Sequence, residues 1–134
     1  MEKLLYVEVV TPQKPVFKGN AQAVRVPGEL SPFQILYNHA PIVSNLEPGI
    51  VAINDGNNNL FFAVSKGFVT VQQNKVSIFV EKAFTKDEID KVDLESKLKI
   101  LNNQLKEAKS EKEKNEISFK ISEIKAQLEV LKQS

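Results

Sequence analysis

Every glycine (19, 28, 49, 56, 67) and every proline (12, 15, 27, 32, 41, 48) of this chain lies before residue 68. Charge runs the other way. Residues 1–84 carry 7 Lys/Arg and 6 Asp/Glu, whereas residues 85–134 carry 11 of each. Glycine and proline punctuate a chain into short elements, and a stretch free of both can run as long helices. The composition therefore divides the chain at Phe84-Thr85 into two units, 1–84 and 85–134. At 134 residues, 42% of them apolar, the chain has the length of one average domain and enough apolar material for a packed core.

In the first unit the apolar period is about two. Leu5, Val7 and Val9 alternate with Leu4, Tyr6 and Glu8, and Val24 and Val26 alternate with Ala23 and Arg25. The runs 49–54, 59–65, 67–72 and 75–81 are rich in Val, Ile and Phe and read as strands. Asp55-Gly56, Lys66-Gly67 and Gln73-Asn74 fall between them as hairpin signals. Short strands at this spacing predict an antiparallel β-sandwich or flattened barrel.

The second unit changes period. Thr85 and Glu88 form a capping box, flanked by Phe84 and Ile89 as a hydrophobic staple, which predicts a helix from residue 85. Leu94, Leu98, Leu101, Leu105 and Ala108 step by 4, 3, 4 and 3; after a polar break at Ser110–Lys114, Ile117, Ile121, Ile124, Leu128 and Leu131 repeat the pattern. Two narrow heptad seams of similar length predict an antiparallel two-helix hairpin with helices of about 22 residues, roughly 33 Å each. The fold class is thus α+β, a sandwich followed by a helical hairpin. A two-helix hairpin has little core of its own, which makes it a candidate moving part.

Chemistry is scarce. His39 is the single histidine and has no nucleophile implied by spacing; it reads as a residue of a Pro-rich turn. With no cysteine there is no disulfide or thiolate metal site. The glycines do not fall into phosphate-cradling spacing. Asp87, Glu88, Asp90 and Asp93 complement the start of a helix and lack calcium-loop spacing. A net charge of +1, with lysines and acids interleaved, gives no reason to expect nucleic acid as a partner. No catalytic residue, metal site or cofactor is predicted. Met1–Tyr6 lacks the apolar stretch of a signal peptide. A chain of this kind works by touching other proteins, and a free-standing adaptor with a coiled-coil arm is one form that could take.

Val26-Pro27-Gly28 and Ile35-Leu36-Tyr37-Asn38-His39-Ala40-Pro41 resemble motifs of the epsilon subunit of F-type ATP synthases. The likeness continues through Leu46-Glu47-Pro48-Gly49-Ile50-Val51, Phe62 to Phe68, Val71 to Val76, and Glu88-Ile89-Asp90. The resemblance implies a non-catalytic subunit of the central rotor stalk, of bacterial or plastid type. Its sandwich would clasp the gamma subunit and sit on the c-subunit ring, coupling ion-driven rotation to ATP synthesis. The hairpin would regulate hydrolysis, packing on the sandwich when folded and reaching the alpha/beta catalytic head when extended. Membrane contact would come only through the complex, on the cytoplasmic face of the bacterial plasma membrane in preference to a plastid thylakoid, and the isolated chain would be a monomer.

Carried onto this sequence, the ring and stalk interface falls on Glu29, Leu30, Ser31, Pro32 and Phe33 and on Asn38, His39, Ala40 and Pro41. A purely turn-shaping role is the alternative for the last four. Ser31 and Gln34 stand where the family usually has glycine, and Tyr37 replaces a common proline. Some relatives bind ATP in the folded hairpin through Ile-Asp-x-x-Arg-Ala. Here Ile89-Asp90-Lys91-Val92-Asp93-Leu94 puts Asp93 at the arginine position, and the hairpin has no arginine. An acid there repels phosphate, so ATP binding is expected to be weak.

Overall fold

The computed structural model describes residues 3–133; Met1 and Glu2, part of the N-terminal segment weighed above, lie outside the described residues. The described residues form ten strands: β1 (Leu5–Val10), β2 (Pro15–Ala21), β3 (Ala23–Val26), β4 (Phe33–Leu36), β5 (Ile42–Leu46), β6 (Gly49–Asn54), β7 (Asn59–Val64), β8 (Gly67–Gln72), β9 (Lys75–Val80) and β10 (Ala83–Phe84). A 3-10 turn (Lys86–Glu88) leads to α1 (Lys91–Glu107) and α2 (Glu111–Lys132). One sheet runs β2-β1-β9-β8-β5 and the other β10-β7-β6-β3-β4.

The alternation in β1 does what its period predicts: Leu5, Val7 and Val9 point between the sheets and are fully buried. Val24, Val26, Val51, Ile53, Val69, Val71, Val76 and Ile78 meet them there. Phe17 of β2 closes the core edge-on against Phe62, with ring centroids 6.1 Å apart. β7 departs from alternation for a physical reason. Phe62 and Val64 face the core, while Ala63 on the other face is covered by α2, so both faces are dry.

Four expectations need correction. The sandwich is not wholly antiparallel, because β1 pairs with β9 in parallel, Glu8 opposite Ser77. Lys66-Gly67 is not a hairpin turn. β7 and β8 belong to different sheets, and the chain crosses between them. Gly67 is needed for a different reason: a Cβ there would lie 1.9 Å from the carbonyl oxygen of Phe79 on the paired strand. The helix predicted from residue 85 begins at Lys91. Glu88 Oε1 accepts from both the amide and the hydroxyl of Thr85 at 3.0 Å, but this closes one 3-10 turn, after which Ile89 is extended. Asp90 then caps the true helix, its side chain accepting from the Asp93 amide. The helices are therefore unequal, 17 and 22 residues, or about 26 and 33 Å.

Gln73-Asn74 and Asp55-Gly56 do form turns. Gln73 and Asn74 both take positive φ, 49° and 64°, as a tight two-residue hairpin requires. In the other turn Asp55 Oδ1 accepts from the amides of Asn57 and Asn58 at 2.9 and 2.7 Å.

Candidate partner surface and helical arm

β4 and β5 are the edge strands of their respective sheets, and the chain from residue 27 to residue 46 crosses from one to the other, closing that side of the sandwich. The predicted interface residues flank β4, except Phe33, which begins it. Before it, the base of a loop is pinned to β5: Gly28 bridges Leu46, and the amides of Glu29 and Glu47 donate to the carbonyls of Asn45 and Pro27, both at 3.0 Å. Gly28 has no room for a side chain, since a Cβ would come within 2.6 Å of the Ser31 carbonyl oxygen and 2.9 Å of the Phe33 ring. The pinned base projects Glu29, Leu30, Ser31 and Pro32 into solvent, and Leu30 is completely exposed, at 101%.

After β4, Asn38 adopts φ 64° and its amide donates to Asn74 Oδ1 at 2.6 Å. Asn is among the side chains best tolerated in that conformation. His39 Nδ1 lies 2.7 Å from the Ala40 carbonyl oxygen, to which it donates as the Nδ1–H tautomer, and its ring tilts toward Phe33 with centroids 6.4 Å apart. Phe33 and His39 are half-buried; Asn38, Ala40 and Pro41 are exposed. The Phe33–His39 pair thus ties the loop before β4 to the turn after it.

Sequence reasoning missed the apolar side chains around these residues. Leu36, Tyr37 and Val43 are exposed at 50%, 38% and 74%. With Leu30 they place four exposed large apolar residues within fourteen positions of the chain. By alternation Leu36 lies on the outer face of the sheet that carries α2 and Val43 on the outer face of the other sheet, so these residues are neighbours in sequence around the β4–β5 edge rather than one continuous patch. Strand alternation carried the signal, because Leu36 follows the buried Ile35 and so must face outward.

The hairpin lies folded on the sandwich, and Glu29 and Pro32 of the loop line clefts that α2 also lines. α2 packs across β6 and β7, and α1 packs on α2. Leu94, Ile117, Ile121 and Ile124 are the buried residues of the predicted seam; Leu98, Leu101, Leu105, Leu128 and Leu131 are half-exposed. The shortness of α1 explains the last two. In an antiparallel hairpin turning at 108–110, Leu128 and Leu131 pass the start of α1 and lie beside the 3-10 turn.

A cleft of about 710 Å³ opens between β7 and the hairpin, lined by Glu88, Asp90, Asp93 and Glu123 together with Lys82, Lys97 and Lys120. Asp93 pairs with Lys97 at 2.9 Å. The hydrogen bond from the Thr85 amide holds the Glu88 carboxyl below its ordinary value. Asp90 and Asp93 are thus occupied in starting a helix, and Ile89 packs against the cluster of Ala63, Ala126 and Val130. Among the described residues no group of three or more His, Cys, Asp or Glu could hold a metal, and no helix is long and apolar enough to cross a membrane.

Residues 4–86, the sandwich and the turn after it, match the model of the ATP synthase delta/epsilon chain β-sandwich domain. The whole chain is similar to the chloroplastic ATP synthase epsilon chain of Tetradesmus obliquus, 30% identical over 128 residues that make up 96% of this chain and 94% of that one. This chain belongs to the epsilon-chain family of ATP synthases. The epsilon chain of Desulfosudis oleivorans is 40% identical over 91 residues, 67% of this chain and 68% of the relative. Among solved structures, a chain of the Euglena gracilis mitochondrial ATP synthase superposes with a TM-score of 0.86 at 18% identity, covering 99% of this chain and 84% of that one. The central stalk and c-ring structure from Tetrahymena thermophila gives a TM-score of 0.67 at 17% identity and 97% coverage of both chains. At such identities these two likenesses speak to the fold. The epsilon fold, a sandwich followed by two helices, is the one described above.

Proposed function

We propose that this epsilon chain is a non-catalytic subunit of the central stalk of a rotary F-type ATP synthase, coupling ion-driven rotation of the c-subunit ring to ATP synthesis in the catalytic head. The observation that carries the proposal is the exposed edge at β4 and β5. The hairpin covers the outer face of one sheet over β6 and β7, and beyond it the chain around the β4–β5 edge leaves Leu36, Tyr37 and Val43 exposed about the fixed turn of Asn38 to Pro41, with Leu30 exposed on the projecting loop. In this proposal the edge clasps gamma, and the projecting loop of Glu29 to Pro32 meets the ring. The hairpin is the arm that regulates hydrolysis, here in its folded state, and it reaches the alpha/beta head only when released. The family and the whole-length likeness to epsilon chains support this assignment. The membrane is met through the complex, and no cofactor is required.

The test adds the purified chain, and a Val43→Gln variant, to a gamma-containing catalytic head stripped of epsilon. Binding and ATP hydrolysis are followed together. The wild-type chain is expected to bind and the variant to bind at least tenfold more weakly with its fold intact. Equal binding by the two would remove the edge from the interface, and no binding by either, with the cognate gamma, would sink the stalk assignment.

A further inference from the structure

Asp55-Gly56 is the one place in the chain where an Asp or Asn precedes a glycine. Such a pair carries its own reagents. The backbone nitrogen of the glycine can attack the side-chain carboxyl carbon of the aspartate, because no side chain on the glycine blocks the approach. The N–Cγ bond forms as the Cγ–OH bond breaks, and the amide proton and the hydroxyl leave as one water. Water then opens the five-membered succinimide at either carbonyl. One opening restores aspartate; the other routes the main chain through the β-carbon as isoaspartate. No oxidant or cofactor is needed. The reaction asks for a protonated carboxyl, so that a hydroxyl can leave, and for a glycine N–H free to give up its proton.

The turn between β6 and β7 denies both. Gly56 donates its N–H to Asn54 Oδ1 at 2.8 Å. The Asn58 and Asn57 amides bonded to Asp55 Oδ1 hold that carboxyl below its ordinary value. The Asp55 amide donates to the Asn58 carbonyl at 3.1 Å, and the Asn54 carbonyl accepts from the Gln22 amide at 2.7 Å. Gly56 has φ 102°, a conformation that favours glycine, so the turn requires the residue that makes it chemically vulnerable. Residues 54–59 are all exposed, within reach of water and of a modifying enzyme. The neighbouring asparagines offer no equal route. Asn54, Asn57, Asn58 and Asn59 are followed by Asp, Asn, Asn and Leu, whose side chains crowd the attacking nitrogen.

We infer that Asp55 is a latent isoaspartate site and that the side chain of Asn54 is the latch that keeps it closed. While Asn54 holds the Gly56 N–H, the peptide bond stays normal; each local opening of the turn exposes it to cyclisation. The product is a substrate for methyltransferases of the class that esterify isoaspartyl carboxylates with S-adenosylmethionine. It also adds one carbon to the main chain inside a turn whose ends, Asn54 and Asn59, are paired. The bonds from Asn57 and Asn58 to Oδ1 cannot survive that insertion.

The test incubates the purified full-length chain in mildly acidic buffer, beside a synthetic peptide of residues 51–60. Isoaspartate at position 55 is read by peptide mapping and by methyl transfer from labelled S-adenosylmethionine. The peptide is expected to convert at least tenfold faster than the folded chain. Asn54→Ala should speed the folded chain about fivefold, the factor that one net hydrogen bond is worth. Asn54→Ser, whose hydroxyl can accept from the same amide more weakly, should recover part of the protection. Asp55→Glu, which cannot close a five-membered ring, should abolish the signal and so fixes the site. All variants are compared below the onset of melting. In the converted fraction, hydrogen exchange at the amides of Asn57 and Asn58 should accelerate. A folded wild-type chain that converts at the rate of the peptide overturns the protection. Equal rates in wild type and Asn54→Ala overturn the latch, as does an Asn54→Ser variant as fast as Asn54→Ala, which would assign the gain to general loosening of the turn.

Discussion

The backbone amide of Asn38 donates to the side-chain oxygen of Asn74 at 2.6 Å across 36 residues of sequence, and the Asn74 amide group returns a bond to Asn38 Oδ1 at 3.3 Å. The reciprocal pair couples the β8–β9 turn to the turn that carries His39. Both asparagines have positive φ, so the test must remove the side chain without straining the backbone. Asn74→Gly does so. It should cost about 1 kcal/mol of unfolding free energy, the usual net value of a hydrogen bond. Binding to the gamma-containing head should fall more than stability alone explains. Denaturant titration and binding measured on one preparation check this, and a stability loss with unchanged affinity would confine Asn38 to shaping its turn.

Leu30 separates function from stability. It is fully exposed, so Leu30→Gln should change unfolding free energy by less than about 0.5 kcal/mol. Assembly with the ring should nevertheless suffer, read as a lower yield of ATP-driven ion pumping by the rebuilt complex. Normal pumping by this variant would take the loop off the ring.

Gly67→Ala tests the close approach of β8 and β9. The new methyl would lie 1.9 Å from the Phe79 carbonyl oxygen and 2.8 Å from the Cα of Val80, both backbone atoms that cannot swing aside. A loss above about 2 kcal/mol is expected, in the range of strained backbone sites. A melting temperature within a degree or two of wild type would mean that the crossing relaxes freely.

Acid should loosen the entry to the hairpin. The Thr85 amide bonded to Glu88 holds that carboxyl below its ordinary value of 4.5. Because the folded value is the lower one, its stabilisation is complete above 4.5 and is lost as pH falls through the depressed value. Exchange of the Thr85 amide should therefore accelerate, relative to the intrinsic rate, only on the acid side of 4.5. Glu88→Gln should weaken the turn at neutral pH and remove that acid transition. An acid transition that persists in Glu88→Gln would assign it to another group.

Nucleotide should be a poor ligand. The cleft beside the hairpin exposes Glu88, Asp90, Asp93 and Glu123 against three lysines. A Kd for ATP above about 1 mM, or roughly 4 kcal/mol of binding, is expected by calorimetry. Micromolar binding would overturn this.

The sandwich was legible because its signals are local. Period-two runs such as Leu5, Val7 and Val9 point one way only, and Gln73-Asn74 can do little other than turn. Short edge strands were harder: β4 has four residues and β5 five, with mixed exposure, so neither stood out as a run. The capping box at Thr85 and Glu88 was real but ambiguous, since the same bonds that start an α-helix also close a single 3-10 turn. The face of α2 that meets the sandwich was hidden because Phe119, Ala126 and Val130 are sparse and small beside the isoleucine heptads. Spacings of seven and four were nonetheless present. At the partner surface, motif likeness pointed to the loop and turn, but the apolar character of the edge shows only when strand alternation is laid onto a sheet with a free side.

The parallel pairing of β1 with β9 also governs when the chain can fold. Glu8 meets Ser77 across 69 residues, and β1 is wedged between β2 and β9 in its sheet. As the polypeptide leaves the ribosome, the β1–β2 hairpin can close early, yet its other edge stays open until β9 has been synthesised. Such sequence-distant pairing is slow to form, and an exposed strand edge invites association with other chains. The nascent sandwich is consequently most exposed to wrong pairing while β3 to β8 are being made, and it gains its protection late, when residue 80 emerges.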